Sequence, residues 1–264
     1  MEQVESLRFA VFLSVLIILV LAETFFERKE RVLPRQGRWM TNFLMTIVNT
    51  ATVYLMSLVM PIMVVGAAVL AAQSEIGVLH LVGLPFWLEA IIAIIVLDFV
   101  IWGQHLITHR VPLLWRLHRV HHSDRDIDVT SAIRFHPLEI AFSILVKIVA
   151  IFILGPAAIA VVVFEILLNA NAMFNHANLR LPLWLDRMLR VVIITPDMHR
   201  VHHSVYRREH DTNFGFMLSV WDRWFGTYTA QPEDGHEAMT LGLEWQDDRP
   251  AKPLWALSLP FHRK

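Results

Sequence analysis

The sequence predicts an all-α, multi-pass membrane protein, with about three spanning helices and a helical hairpin under a cytosolic, histidine-rich helical cap. Three observations carry this expectation. Of 264 residues, 55% are hydrophobic and the mean hydropathy is positive, which is more apolar surface than a soluble domain of this length can bury. The apolar residues are gathered into stretches of about 20 or more, the length a helix needs to cross a bilayer. The basic residues are concentrated in alternate loops, as membrane orientation requires. Cysteine is absent, which excludes disulfides, thiolate zinc sites and iron–sulfur clusters together. A net charge of −1 points to no nucleic acid partner.

The first span is centred on Phe9–Ala22. Glu2 and Glu5 rather than basic residues precede it, so it is expected to be an anchor and not a cleaved signal peptide. Phe43–Ala72 is a second stretch, long enough to tilt or to extend past the bilayer, and Phe86–Ile107 is a third. Ile140–Phe174 is too long for one crossing and is interrupted at Gly155-Pro156, which predicts two limbs meeting near the far side of the membrane.

Arg28, Lys29, Arg31, Arg35 and Arg38 mark the loop after the first span as cytoplasmic. Residues 73–85 carry one acid and no Lys or Arg, and are expected outside. Arg110, Arg116, Arg119, Arg125 and Arg134 return the chain to the cytoplasm. The hairpin leaves and comes back, and the region from about Ala177 to Lys264 stays inside. Lys147 lies within the first limb of the hairpin, where it calls for snorkelling or a buried partner. No repeat of the solenoid kind and no linker divides the chain, so residues 1–264 are expected to form a single domain.

Histidine is over-represented, with 14 residues against three tyrosines. Imidazole is the commonest metal ligand and the usual acid–base group. Residues 118–123 read H-R-V-H-H-S, and residues 199–204 repeat those letters. Positions i, i+3 and i+4 share one helical face, so His118, His121 and His122 point one way, as do His199, His202 and His203. Pro112 suits a first helical position, and Thr195-Pro196-Asp197 reads as N-cap, first position and first-turn acid. His105 and His109, spaced i, i+4, end the third span. Without a metal, eight clustered imidazoles would leave nitrogens unpaired or mutually repelling. By contrast, His80, His236 and His262 read as ordinary surface or packing residues.

A ninth ligand is expected in His176. It shares a polar stripe with Glu165 and Asn169 on the return limb of the hairpin, and both of these are expected to support it. Asp98, Trp102, His105 and His109 form another stripe. There Asp98 is expected to accept a hydrogen bond from a ligand imidazole. Nine imidazoles exceed one tetrahedral zinc site and suit two ions with four or five each. Ligand type alone leaves zinc, copper, iron and nickel open.

These residues match a known pattern. H-L-I-T-H at 105–109 and H-R-V-H-H at 118–122 and 199–203 resemble the HX3H…HX2HH…HX2HH signature of the fatty acid hydroxylase/sterol desaturase superfamily. So do D-T-N-F-G-F-M-L-S-V-W-D-R-W-F-G-T-Y at 211–228, T-S-A-I-R-F-H-P-L-E at 130–139 and F-N-H-A-N at 174–178. The last two resemble its bacterial branch, with some likeness to alkylglycerol monooxygenase. The likeness covers about 98–228.

The resemblance implies two non-haem irons (a di-iron site) that use O₂ and two electrons to hydroxylate a C–H bond of a lipid, whether fatty acyl, sterol or ether lipid. Desaturation on the same site is the alternative. It also implies that His105, His109, His118, His121, His122, His176, His199, His202 and His203 are the ligands. Some hydroxylases of the superfamily carry a histidine pair near position 176, whereas here only His176 is present, and His136 or His210 is the candidate tenth ligand. A cytochrome-b5-like domain, fused to some relatives, has no counterpart, so a separate ferredoxin- or cytochrome b5-type donor is expected.

Two rivals from other classes are a membrane zinc hydrolase and a metal transporter or haem carrier. H-E-A-M-T at 236–240 lacks the second histidine of a zinc protease motif. Transport sites usually lie near the bilayer midplane, not at its cytoplasmic edge. The orientation is directly testable. Reporter fusions at Gln73 and Lys264 should read opposite sides of the membrane, and finding both on one side would overturn the assigned topology.

Overall fold

The computed structural model describes residues 2–60 and 63–262. Its regular structure is helical throughout. Among the described residues β-structure is limited to isolated bridges such as Glu27 with Leu179 and Ser204 with Leu241. The long elements are α1 (Glu2–Phe25), α2 (Arg35–Val59), α3 (Val64–Gln73), α4 (Phe86–Arg110), α5 (Pro112–His122), α6 (Pro137–Leu154) and α7 (Ala158–His176). Shorter helices follow, of which α8 (Leu183–Leu189) and α9 (Pro196–His202) matter here. Five segments are long and apolar enough to cross a membrane: α1, the stretch from α2 through Leu81, α4, α6 and α7.

Packing explains which faces are apolar. Small residues Ala67, Ala68 and Ala71 of α3, with Ala93 of α4 and Ala160 of α7, are buried in the spanning core. They let helix backbones approach closely where lipid tails offer no hydrophobic drive. Leu97, Ile101, Ile144, Ile148, Ile151 and Phe164 fill the remaining volume. Leu55, Leu58, Ile95, Val149, Ile153 and Ile159 are exposed on the outside of the bundle, as a lipid-facing surface should be.

The expected hairpin is present. α6 ends at Gly155, which adopts the left-handed conformation (φ 69°), and α7 resumes at Ala158. Gly155 packs backbone to backbone on Gly77 (φ 118°), and a Cβ on Gly77 would lie 2.3 Å from Gly155 N. Neither position tolerates a side chain.

Lys147 has the buried partner that its position requires. Its Nζ lies 2.8 Å from Glu165 Oε1, and Arg8 of α1 donates to Glu165 Oε2 at 2.7 Å. One carboxylate thereby ties α1, α6 and α7 together. Glu165 is committed to these cations and does not reach His176.

The expected Phe43–Ala72 stretch lies within the second apolar segment, and the start of α2 before it serves another purpose. On α2 the buried residues Arg38, Thr41, Asn42, Met45 and Asn49 form one stripe along the first half of the helix. That stripe faces the loop after α5 and the C-terminal segment, not lipid. Arg38 makes a two-pronged contact with Asp124 (2.7 and 2.8 Å) and a further bond to Asp128 (2.8 Å). Asn42 donates to Thr130 at 2.9 Å, and Asn49 to the Phe135 carbonyl at 3.0 Å. The first half of α2 therefore belongs to the cap layer, and its second half and α3 carry the apolar crossing.

Arg134, fully buried, donates to Val120 O, Asn42 Oδ1, Ser123 Oγ and Pro250 O and so locks α5 to α2 and to the C-terminal segment. The expected second-span residues Pro61 and Ile62, and the chain end at Lys264, lie outside the described residues.

Removing one member of a buried ion cluster leaves the others uncompensated, at a cost of about 3–5 kcal/mol for a simple pair. Arg8 remains beside Glu165, so Lys147→Met is expected to lower the thermal midpoint of the detergent-solubilised protein by part of that. Pairing it with Glu165→Gln should recover most of the loss. An unchanged midpoint in Lys147→Met would show that the contact contributes nothing.

Candidate metal centre

The histidines converge where α4, α5, α7 and α9 meet. α5 begins at Pro112 and α9 at Pro196, the two expected helix starts. At α9, Thr195 precedes the helix, but its hydroxyl makes no capping bond. All nine expected histidines are buried, and they sort into two sets. His105, His109, His118, His122 and His202 form one, and His121, His176, His199 and His203 form the other. Within each set one ring nitrogen per residue lies within 4.8 Å of all the rest.

Each triplet is divided between the sets. His118 and His122, four apart on α5, join the first, and His121 joins the second. On α9 the assignment is reversed: His199 and His203 join the second set, and His202 the first. Neighbouring rows on one helical face are far enough apart to address two centres.

Hydrogen bonds fix how the rings present their nitrogens. His105 Nδ1 donates to the Phe214 carbonyl at 2.7 Å, and His118 Nδ1 meets Glu139 Oε1 at 2.6 Å. His202 Nδ1 donates to the Thr212 carbonyl and His176 Nδ1 to the Ala172 carbonyl, each at 2.6 Å. A neutral ring that donates through Nδ1 has only a lone pair at Nε2. Yet His105 Nε2 and His118 Nε2 approach to 3.0 Å, and His176 Nε2 lies 3.0 Å from both His121 Nε2 and His199 Nε2. Neutral His105 and His118, each engaged through Nδ1, turn lone pairs on one another and repel; the single Nε2 lone pair of His176 faces two neighbouring rings, and the Nε2 atoms of His109, His122, His202 and His203 are buried with no partner at all.

Protonation is disfavoured for five of the nine rings. Burial, reinforced by the surrounding imidazoles, pushes His121, His122, His199, His202 and His203 far below the ordinary histidine range. Neutral imidazoles with inward lone pairs in two sets are the donor arrangement that two divalent cations fit.

The other sequence candidates lie elsewhere. Asp98 accepts from Trp221 Nε1 at 2.8 Å and from Leu218 N at 3.1 Å, so its carboxylate holds the C-terminal segment and not an imidazole. Asn169 is exposed and makes no bond to a histidine. It lines a cavity beside the site instead. His136 caps α6, with Nδ1 accepting from Leu138 N. His210 donates to the Ser204 carbonyl and stacks on Trp115, outside both sets. His236 lies 3.6 Å from Asp197.

Three acids escaped the sequence reading as site residues. Glu139 is 21 residues from His118, Asp211 faces His109 Nδ1 at 3.3 Å, and Asp222 accepts from Trp102 Nε1 and from Phe214 N. Asp222 thus fixes the loop whose carbonyl orients His105. Only the position of Glu139 in the first turn of an apolar helix hinted at its use.

Two openings lead to the first set. A cavity of about 150 Å³ reaches His105 and His118 between Ile101, Ile140, Leu168 and Phe216 of the spanning bundle and loop. A wider cleft of about 550 Å³ reaches His109 from the other side, beside Trp115, Arg110, Arg116, Arg119 and Arg207.

Comparison with known proteins agrees with this geometry. An ornithine lipid hydroxylase of Rhizobium tropici is 26% identical over 181 residues, 68% of this chain and 52% of that protein. Human alkylglycerol monooxygenase is 30% identical over 153 residues, 56% of this chain and 31% of that one. A Lecanicillium fatty acid hydroxylase is 26% identical over 157 residues, 53% of this chain and 42% of its own. The chain thus aligns with about half or less of the length of these relatives. No solved structure matches. The fatty acid hydroxylase profile matches residues 90–227, a stretch that contains all nine clustered histidines and Glu139, and the chain belongs to that family.

Proposed function

We propose that this protein is a lipid hydroxylase in which each histidine set holds one non-haem iron, with both sets on the cytoplasmic side of the membrane. The observation that carries the reading is the sorting of nine buried imidazoles into two sets whose ring nitrogens converge within 4.8 Å, four of them with Nε2 atoms that have no partner. The names of the relatives support hydroxylation of a lipid over desaturation. The bound metal pair would supply the oxidising chemistry, in which O₂, two electrons and two protons deliver one oxygen atom to a C–H bond and release the other as water.

The chain's own residues would do the rest. The carbonyls of Phe214, Thr212 and Ala172, with the Glu139 carboxylate, hold four imidazoles in one tautomer and one orientation. Ile101, Ile140, Leu168 and Phe216 would hold the apolar part of the lipid beside His105 and His118 and keep bulk water out. The wider arginine-lined cleft by His109 and Trp115 offers a separate electron donor, of ferredoxin or cytochrome b5 type, an approach that does not compete with the lipid. Residues 1–264 would act as one domain.

Metal analysis of the purified protein separates this reading from its rivals, with about two irons per chain expected against zinc or haem. His121→Ala or His202→Ala should lower bound metal and abolish lipid oxidation, whereas His80→Ala and His262→Ala should do neither. Full metal content and activity in His202→Ala would defeat the proposal. Glu139→Gln keeps the side-chain shape but weakens the acceptor for His118. It should lower metal affinity or activity by about 10–100-fold, the usual effect of losing a partner behind a ligand.

A further inference from the structure

The cavity beside His105 and His118 is not uniformly apolar. Glu139, Ser143 and Lys147, spaced i, i+4 and i+8, run along the face of α6 that lines it, and Gln104 of α4 joins them. Eight residues of helix span about 12 Å, so this polar stripe accompanies a ligand well beyond the reacting carbon.

The state of each polar group matters. Lys147 is already paired with Glu165 at 2.8 Å and so does not call for an acidic ligand. Glu139 is 5% exposed, and only its Oε1 is engaged, by His118. Its Oε2 is buried with no partner, and so is Gln104 Oε1. Both unmatched atoms are acceptors. Leaving a buried acceptor unmatched is costly, and a saturated hydrocarbon tail laid across this stripe would incur that cost twice.

We infer that the lipid bound in this cavity bears hydrogen-bond donors, hydroxyl or amide N–H groups, close to the carbon that is oxidised, and that Gln104 and Glu139 recognise them. The inference rests on the hydroxylase reading for what happens to that lipid, but not for its binding. A donor-bearing head drawn in beside the histidines separates this enzyme from one that oxidises the remote part of an alkyl tail. Gln104 then acts as a specificity residue.

The test is a matched pair of probes: a long-chain monoacylglycerol and its di-O-methyl counterpart. The two share chain length and ester oxygens and differ in their two donors. Binding is measured by competition on the purified full-length protein in nanodiscs, kept free of dioxygen so that no turnover occurs. The free hydroxyl form should bind about 10-fold or more tightly, and the preference should shrink in Gln104→Leu. Equal affinities in the wild type, or a preference untouched by Gln104→Leu, would overturn the inference. Supplying dioxygen and electrons to the iron-loaded protein then tests the hydroxylase reading separately. Oxidation of neither probe, nor of any membrane lipid, would count against that reading and leave the binding result standing.

Discussion

Two imidazole nitrogens held 3.0 Å apart, each ring having already spent its proton on a backbone carbonyl or carboxylate, are mutually repulsive. Around His176, a single Nε2 lone pair faces the Nε2 atoms of both His121 and His199 at 3.0 Å. A fold can sustain this arrangement only by fixing every participating ring from behind and by keeping water from relaxing the contact. The tethers come from separate parts of the chain: the turn at 212–214, the start of α6 and the last turns of α7. The cap must therefore hold remote segments in fixed register, which explains its density of buried charge.

Arg38 with Asp124 and Asp128 docks α2 on the loop that leaves α5. Arg134 collects carbonyls and side chains from α2, α5 and the C-terminal segment. Asp98 and Asp222 pin the 214–221 segment to α4. Such groups are costly to bury, and each is satisfied by several partners, which is the condition under which buried charge confers a single geometry. The spanning region needs no such network and relies on small residues and glycine contacts, with the Arg8–Glu165–Lys147 cluster as its one ionic tie among the described residues.

The spans, the Gly155 break and the convergence of the histidines were legible because each depends on local pattern: apolar length, helix-breaking residues and the helical repeat. What stayed hidden depended on distance in sequence. Nothing near His118 announces Glu139, and nothing near Asp98 announces Trp221, so a carboxylate expected behind an imidazole proved to hold an indole. The polar seating of the first half of α2 stayed hidden for a related reason. Asn42, Thr46 and Asn49 dilute the apolar run of α2 only mildly, yet they face a polar loop that hydropathy cannot see. The histidine triplets were read as single faces, while the one-residue offset between rows on each helix sends them to two centres.

That offset makes the two centres share scaffolding. α5 and α9 each contribute to both sets, so neither set can be ordered while the other is left to drift. On the proposed reading, the first ion to bind would bear most of the entropic cost of aligning both helices, and the second would find its imidazoles already arranged. Such a site favours all-or-none filling through shared rigidity, and half-loaded chains should be scarce whenever metal is limiting.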